Sequence, residues 1–210
     1  MKRLFILPLL FTLITTAASG QLLEYEVVKG NKKLGKMTVD RRYGAKTVEY
    51  HLKSRVVFRL LFSFTVDYES NSFYENGTLA KEWTISKLNG STQKESTILK
   101  KDSDYELTLN GVRSSEKAPI TYSIAAIYYE EPYDGQKVFS PQFGQYLTFK
   151  QVAPHQYEME SPDGTNLYTY ANGICIEVKV SRDFARFYFK MSPETLYAVK
   201  NRADSIVGGN

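Results

Sequence analysis

Most of the chain alternates apolar and polar residues with a period of two. In "EYEVVK", Tyr25 and Val27 fall on one side and Glu24 and Glu26 on the other. "KMTVDRRY" sets Met37, Val39 and Tyr43 against Thr38, Asp40 and Arg42, and "TVEYHLK" sets Val48, Tyr50 and Leu52 against Glu49, His51 and Lys53. "ICIEVKV" puts Ile174, Ile176, Val178 and Val180 opposite Cys175, Glu177 and Lys179. One polar face per strand is the pattern of antiparallel strands with one side toward solvent. Asn76-Gly77, Asn89-Gly90, Asn110-Gly111 and Asn172-Gly173 separate such segments, with Asp134-Gly135 and Asp163-Gly164 as further breaks. Both residues of these pairs tolerate positive φ, which makes them strong hairpin signals. The spacing predicts about ten or eleven strands in a meander, sandwich or barrel. The run "VVFRLLFSFTV", residues 56–66, is apolar on both faces. It reads as a central strand covered on both sides, or as one carrying a bulge that switches faces.

One stretch departs from this rhythm. "TYSIAAIYYEEPYDG", residues 121–135, has Ile124, Ile127 and Tyr128 at helical spacing, two alanines, and Thr121 or Ser123 as a cap. Pro132 ends it. The pattern predicts a helix of about eight to ten residues, with Ser123 and Tyr129 on the face away from the stripe. So short a helix is marginal alone and must pack on something. The expected fold is therefore mainly β: a strongly curved antiparallel sheet, a half-barrel or open barrel, with one central helix packed on its concave face. A ligand would lie in the helix–sheet seam, against Ile124, Ile127 and Tyr128. Near the C-terminus, Ser192 and Pro193 form a good helix start, although "TLYAVK" also fits a strand, so 192–203 stays open. The final "DSIVGGN" is expected to fray.

The N-terminus changes the picture of where the protein acts. Lys2 and Arg3 precede an apolar core from Leu4 to Ile14, followed by Ala17, Ala18, Ser19 and Gly20. This is the layout of a signal peptide, too short for a comfortable membrane-spanning helix. Residues 1–20 are expected to be removed, leaving Gln21 first and residues 21–210 as one β-rich domain. No later apolar run has spanning length. The expectation is a periplasmic or extracellular protein without a transmembrane segment.

Charge and cysteine content exclude more than they assign. Of 27 lysines and arginines, Lys2 and Arg3 lie in the leader, leaving 25 against 23 acidic residues. So balanced a chain is a poor partner for nucleic acid. Cys175 is the sole cysteine, so no intrachain disulfide is possible, and its apolar neighbours fit a packed thiol better than a nucleophile. There is no G-x-S-x-G, H-E-x-x-H, P-loop or G-x-G-x-x-G. His51 and His155 lack ligand-spaced partners, so neither a metal nor a cofactor is expected. The pairs Asp67/Glu69 and Glu158/Glu160 share strand faces in the manner of solvated residues. Glu130, Glu131 and Asp134 cluster after the expected helix, in a polar loop where cation binding is conceivable.

The opening "YEVVKGNKKLGKM", the later "ITYSIAAIYYEEP" and then "YDGQ" together resemble a family of exported bacterial proteins classed only as a domain of unknown function. The resemblance covers most of the chain after residue 20. It implies a half-barrel wrapping a helix, similar in style to periplasmic carriers of lipoproteins and lipids, and it transfers no active-site residue. The reading that follows is a non-enzymatic envelope protein that binds a lipid or other apolar or amphipathic ligand, or an envelope protein. The alternatives are a hydrolase of envelope or dietary polymers and an assembly factor acting through a strand edge.

Overall fold

The computed structural model describes residues 20–59, 62–117, 119–183 and 185–207. The leader assigned to residues 1–20 lies outside them except for Gly20. Among the described residues, fourteen strands form one antiparallel sheet. They are β1 (Gly20–Lys29), β2 (Lys32–Tyr43), β3 (Thr47–Arg59), β4 (Ser63–Glu75), β5 (Thr78–Leu88), β6 (Ser91–Lys101), β7 (Asp104–Leu109), β8 (Val112–Glu116), β9 (Lys137–Ser140), β10 (Gln145–Ala153), β11 (Gln156–Ser161), β12 (Gly164–Ala171), β13 (Ile174–Arg182) and β14 (Ala185–Met191). In space the order runs β8 to β1, then β14 down to β9. Each hairpin pairs with the next, β1 pairs with β14, and the sheet does not close. It is curved strongly enough that Met37 of β2 and Met159 of β11 line one interior space.

The turns follow the chemistry of their residues. Asn76, Asn89, Asn110 and Asn172 each have φ near 50° and are followed by a glycine with φ of 76–83°. This is the backbone of the primed two-residue hairpin, whose twist matches that of the strands it joins. The run at 56–66 is where the strand count changes. It is a hairpin rather than one strand, ending β3 and starting β4, with Phe58 paired to Phe64 and Val56 to Val66. Its apolar residues are dense because two strands reverse within it, and both send side chains inward.

Two β-bulges reassign faces. Tyr170 pairs with Cys175 while Thr169 pairs with Glu177, so Ile176 is an extra residue. Cys175 therefore turns inward with Val178 and Val180, where simple alternation set it against them. Ala80 is extra in β5, between the pairs Tyr74–Leu79 and Phe73–Lys81. It turns Glu82 and Thr84 inward and leaves Trp83 42% exposed.

The segment expected to be a central helix enters the sheet's interior from one end, but as a re-entrant plug with a single 3-10 turn, Ala126–Tyr128. Its backbone is committed elsewhere. Leu79 N–H donates to the Ile120 carbonyl at 2.8 Å, Phe139 N–H to that of Tyr122 at 2.9 Å, and Ile124 N–H donates to the Phe139 carbonyl at 3.2 Å. A helix through 121–129 would need those groups for its own i to i+4 bonds, so one tight turn is what remains. Ala125 to Tyr129 are all buried, and so is Ser123. The face assigned to Ser123 and Tyr129 is thus as enclosed as the Ile127 face, because sheet surrounds the plug. Tyr129 Oη lies 2.5 Å from the Val39 carbonyl and 2.7 Å from that of Gln21, and Tyr170 donates to the Ile127 carbonyl at 2.9 Å.

The plug also bridges the two arms of the sheet, since Ser123 pairs with Phe139 of the edge strand β9 while Ile120 meets Leu79 of β5 in the other arm. At the opposite end Lys94 of β6 meets Asp163 at 2.9 Å and sits over the Phe143 ring. The only α-helix of the described residues is α1 (Pro193–Val207), which settles the C-terminal ambiguity. Ser192 caps it, accepting from Thr195 N–H at 3.3 Å, and Val199 is buried. The tail expected to fray is helical through Val207, and residues 208–210 lie outside the described set.

Candidate functional site: a cavity above the plug

In a meander, successive turns alternate between the two ends. The turns after β1, β3, β5, β7, β9, β11 and β13 share one end, here termed the mouth. The plug enters from the other end, the base, and fills only that half. Above it remains a cavity of about 290 Å³. Its walls come from both arms of the sheet: Leu52, Val56 and Phe58 on one side, Met159, Val178 and Val180 on the other. Each reaches the interior through the period-two alternation of its strand.

Ile124 and Tyr128 form part of the cavity lining; Ile127 is fully buried and does not line it. Of the three seam residues expected from the sequence, two therefore meet this space and the third packs into the core. Polar groups gather toward the mouth. Arg182 donates to Asn166 Oδ1 at 3.0 Å and to the Ser181 carbonyl at 2.9 Å. Burial lowers its pKa, and nearby Tyr168 and Asp163 oppose that. Asp163 also accepts from Gln142 at 3.0 Å. The arrangement suits an apolar body with a polar end. Arg182 supplies a charge-bearing donor there, a role the sequence reading did not give it. Its place beside the Asp163-Gly164 turn becomes visible only once β12 and β13 are paired.

A second interior feature lies beside the plug. Glu82 is fully enclosed, and its Oε1 accepts from Ser72 at 2.8 Å and Ser70 at 3.2 Å. Its Oε2, Ser123 Oγ and Tyr74 Oη make no hydrogen bond, although Ser123 is adjacent to both side chains. Burial pushes the Glu82 carboxyl up to about 7, against the hydrogen bonds from Ser72 and Ser70. The plug therefore sits against an acid whose charge is costly in place.

The other candidates are dispersed. Cys175 is fully buried, donates weakly to the Glu177 carbonyl at 3.6 Å, and has its thiol pushed well up by burial. His51 is 3.7 Å from Glu49 on the outer surface. His155 and Tyr157 both bond Glu131, at 2.9 Å and 3.0 Å, while Asp134 accepts from Gln151 N–H at 2.8 Å. These acids fasten the base of the plug to the β10–β11 hairpin, and no group of three metal-ligating residues occurs among the described residues. Asp67 and Glu69 pair with Arg55 and Lys53 at 3.8 and 3.6 Å on the outer face. Among the described residues, no helix is long and apolar enough to cross a membrane.

No curated protein matches the chain. The fold is similar to the crystal structure of a beta-barrel-like protein of domain of unknown function DUF1849 from Brucella abortus. The TM-score is 0.49 and the identity 12%, over 83% of this chain and 96% of that one. The model of the family described as Domain of unknown function (DUF6134) matches residues 25–192, and the chain belongs to that family.

Proposed function

We propose that the protein is an exported, non-enzymatic binding protein that takes one apolar or amphipathic molecule into the mouth-side cavity. The observation that carries this reading is the unfilled, mostly apolar space of about 290 Å³ above Ile124 and Tyr128. A core optimised only for stability closes such space, because interiors pack to near-crystalline density. The volume stands at the small end of ligand pockets, which run to about 300–1,000 Å³. An acyl chain or a small aromatic body suits it, with a polar end toward Arg182. Export is supported by the leader-like residues 1–20.

The test is native mass spectrometry of protein purified from its own envelope, with extraction and identification of any apolar passenger. Displacement of a naphthalene-sulfonate dye gives a second readout. Val66→Phe, which enlarges a cavity-lining side chain, is expected to abolish dye binding while the chain keeps a cooperative melt. Protein that carries no passenger and binds no dye refutes the reading.

A further inference from the structure

The two ends of the barrel carry opposite charge. At the mouth, the described residues of the turns and their flanks (29–33, 59, 62–63, 88–91, 109–113, 140–145, 161–164, 182–183 and 185–186) hold seven basic and two acidic residues. At the base, residues 43–47, 75–78, 101–104, 116–117, 119, 130–136, 153–156, 171–174 and 192–194 hold three basic and eight acidic residues. The chain as a whole is nearly balanced, so this is segregation rather than composition.

The mouth cations are also concentrated. Lys29 lies directly opposite Lys32 in the β1–β2 hairpin. Like charges facing each other across strands cost stability, so folding alone does not favour the pair. Next to it a groove of about 690 Å³ is lined by Lys32, Lys33, Lys36 and Arg59, with Leu34 and Val57. No acid lines it. Apolar side chains project from two other tips at the same end. Phe62, between β3 and β4, is 72% exposed, and Val112, at the start of β8, is 70% exposed.

We propose that the mouth is a docking surface for an anionic lipid bilayer. The cations of the β1–β2 hairpin and Arg59 meet headgroup phosphates, and Phe62 and Val112 enter the interfacial layer. Each basic residue held near an anionic leaflet raises partitioning about fivefold, the equivalent of about 1 kcal/mol. Apolar side chains such as Phe bury at the boundary between headgroups and acyl chains of a membrane surface. A free polyanion would have no use for the apolar tips. A bilayer uses charge and tips together, because its plane can meet several separate turns at once. The inference goes beyond the ligand reading and stands without it, since the rim has these residues whether or not the cavity is filled. If both hold, the cavity faces the membrane.

Vesicle flotation tests it. The purified chain is expected to float with vesicles of phosphatidylcholine mixed with phosphatidylglycerol, to remain behind with phosphatidylcholine alone, and to be released as salt rises. Lys29→Glu with Lys32→Glu is expected to lower partitioning by about twentyfold or more, from two cations at about fivefold each. Phe62→Ser with Val112→Ser is expected to lower it at an unchanged melting temperature. Lys46→Glu with Lys101→Glu, at the base, is expected to leave it as it was. A signal that does not depend on loss comes from Phe62→Trp in a Trp83→Phe background, whose emission should shift to the blue and be quenched by brominated lipid. The proposal is overturned if the chain ignores anionic vesicles, or if base and mouth reversals act equally. It is also overturned if heparin is bound as tightly as vesicles with no change in Phe62→Trp emission, which would make the rim a polyanion site. Dye binding measured on the same variants separates this outcome from failure of the cavity reading.

Discussion

Replacing Glu82 by glutamine isolates one buried proton. In the folded protein the carboxyl titrates near 7, whereas in an unfolded chain it titrates at about 4.3. The native state therefore binds more protons than the unfolded state between these values, and stability falls as pH rises through that window. Below the unfolded value the group costs nothing. Above about 7 the full penalty applies, roughly 3–4 kcal/mol at 1.36 kcal/mol per unit. That is a large share of the roughly 5–15 kcal/mol that holds a domain together. The glutamine side chain keeps a carbonyl for Ser70 and Ser72, cannot ionise, and places an amide where Glu82 Oε2 and Ser123 Oγ now have no partner. The assay is urea denaturation of both proteins across a pH series. Near pH 5 the midpoints should lie close together, and near pH 8 Glu82→Gln should unfold about 1–2 M later, given an m-value of about 2 kcal/mol/M. A difference between the proteins that does not change with pH would refute the argument and show that Glu82 is neutral, or solvated, throughout.

Two further outcomes follow from the plug and one from the core. Ile127→Ala removes a fully buried side chain enclosed by sheet, so it should cost about 2–5 kcal/mol in chemical denaturation. Tyr129→Phe, which strips the hydroxyl from the Val39 and Gln21 carbonyls, should cost about 1 kcal/mol, and a neutral result would mean the plug is not anchored there. Cys175→Ser should retain dye binding and lose about 1–3 kcal/mol, because a hydroxyl in that enclosed position wants a hydrogen bond stronger than the long contact to Glu177. Loss of binding with stability intact would reveal chemistry at the thiol.

The mouth and the plug give the fold its division of labour. The base half is filled by tyrosines whose hydroxyls satisfy the plug's carbonyls, as Tyr122 does for Glu130 at 2.6 Å. The mouth half has the cavity, the segregated cations and the exposed tips. A binding function at the mouth is compatible with a rigid base because the two use different residues of the same strands.

What the sequence determined by itself was local. An Asn-Gly pair demands positive φ at both positions, and that demand is met within four residues, so four hairpin turns could be placed without the rest of the chain. Alternation in β1, β2 and β3 marked Tyr25, Val27, Met37, Val39, Tyr50 and Leu52 as core because those strands run without a bulge through these residues. Faces downstream of a bulge were not legible. One extra residue inverts the alternation, and whether Ala80 or Ile176 bulges is decided by pairing with the neighbouring strand. That is why Glu82 and Cys175 point inward. The plug illustrates the same limit: Ile124, Ile127 and Tyr128 have helical spacing, yet β5 and β9 claim the backbone groups a helix needs. The poles of charge depended most on the whole. In a meander each turn's end is set by the parity of the strands before it. Reading residues 56–66 as one strand instead of a hairpin sends every later turn to the wrong end. Only the tertiary structure fixes that count, and with it the gathering of Lys29, Lys32, Arg59 and Arg182 around one opening.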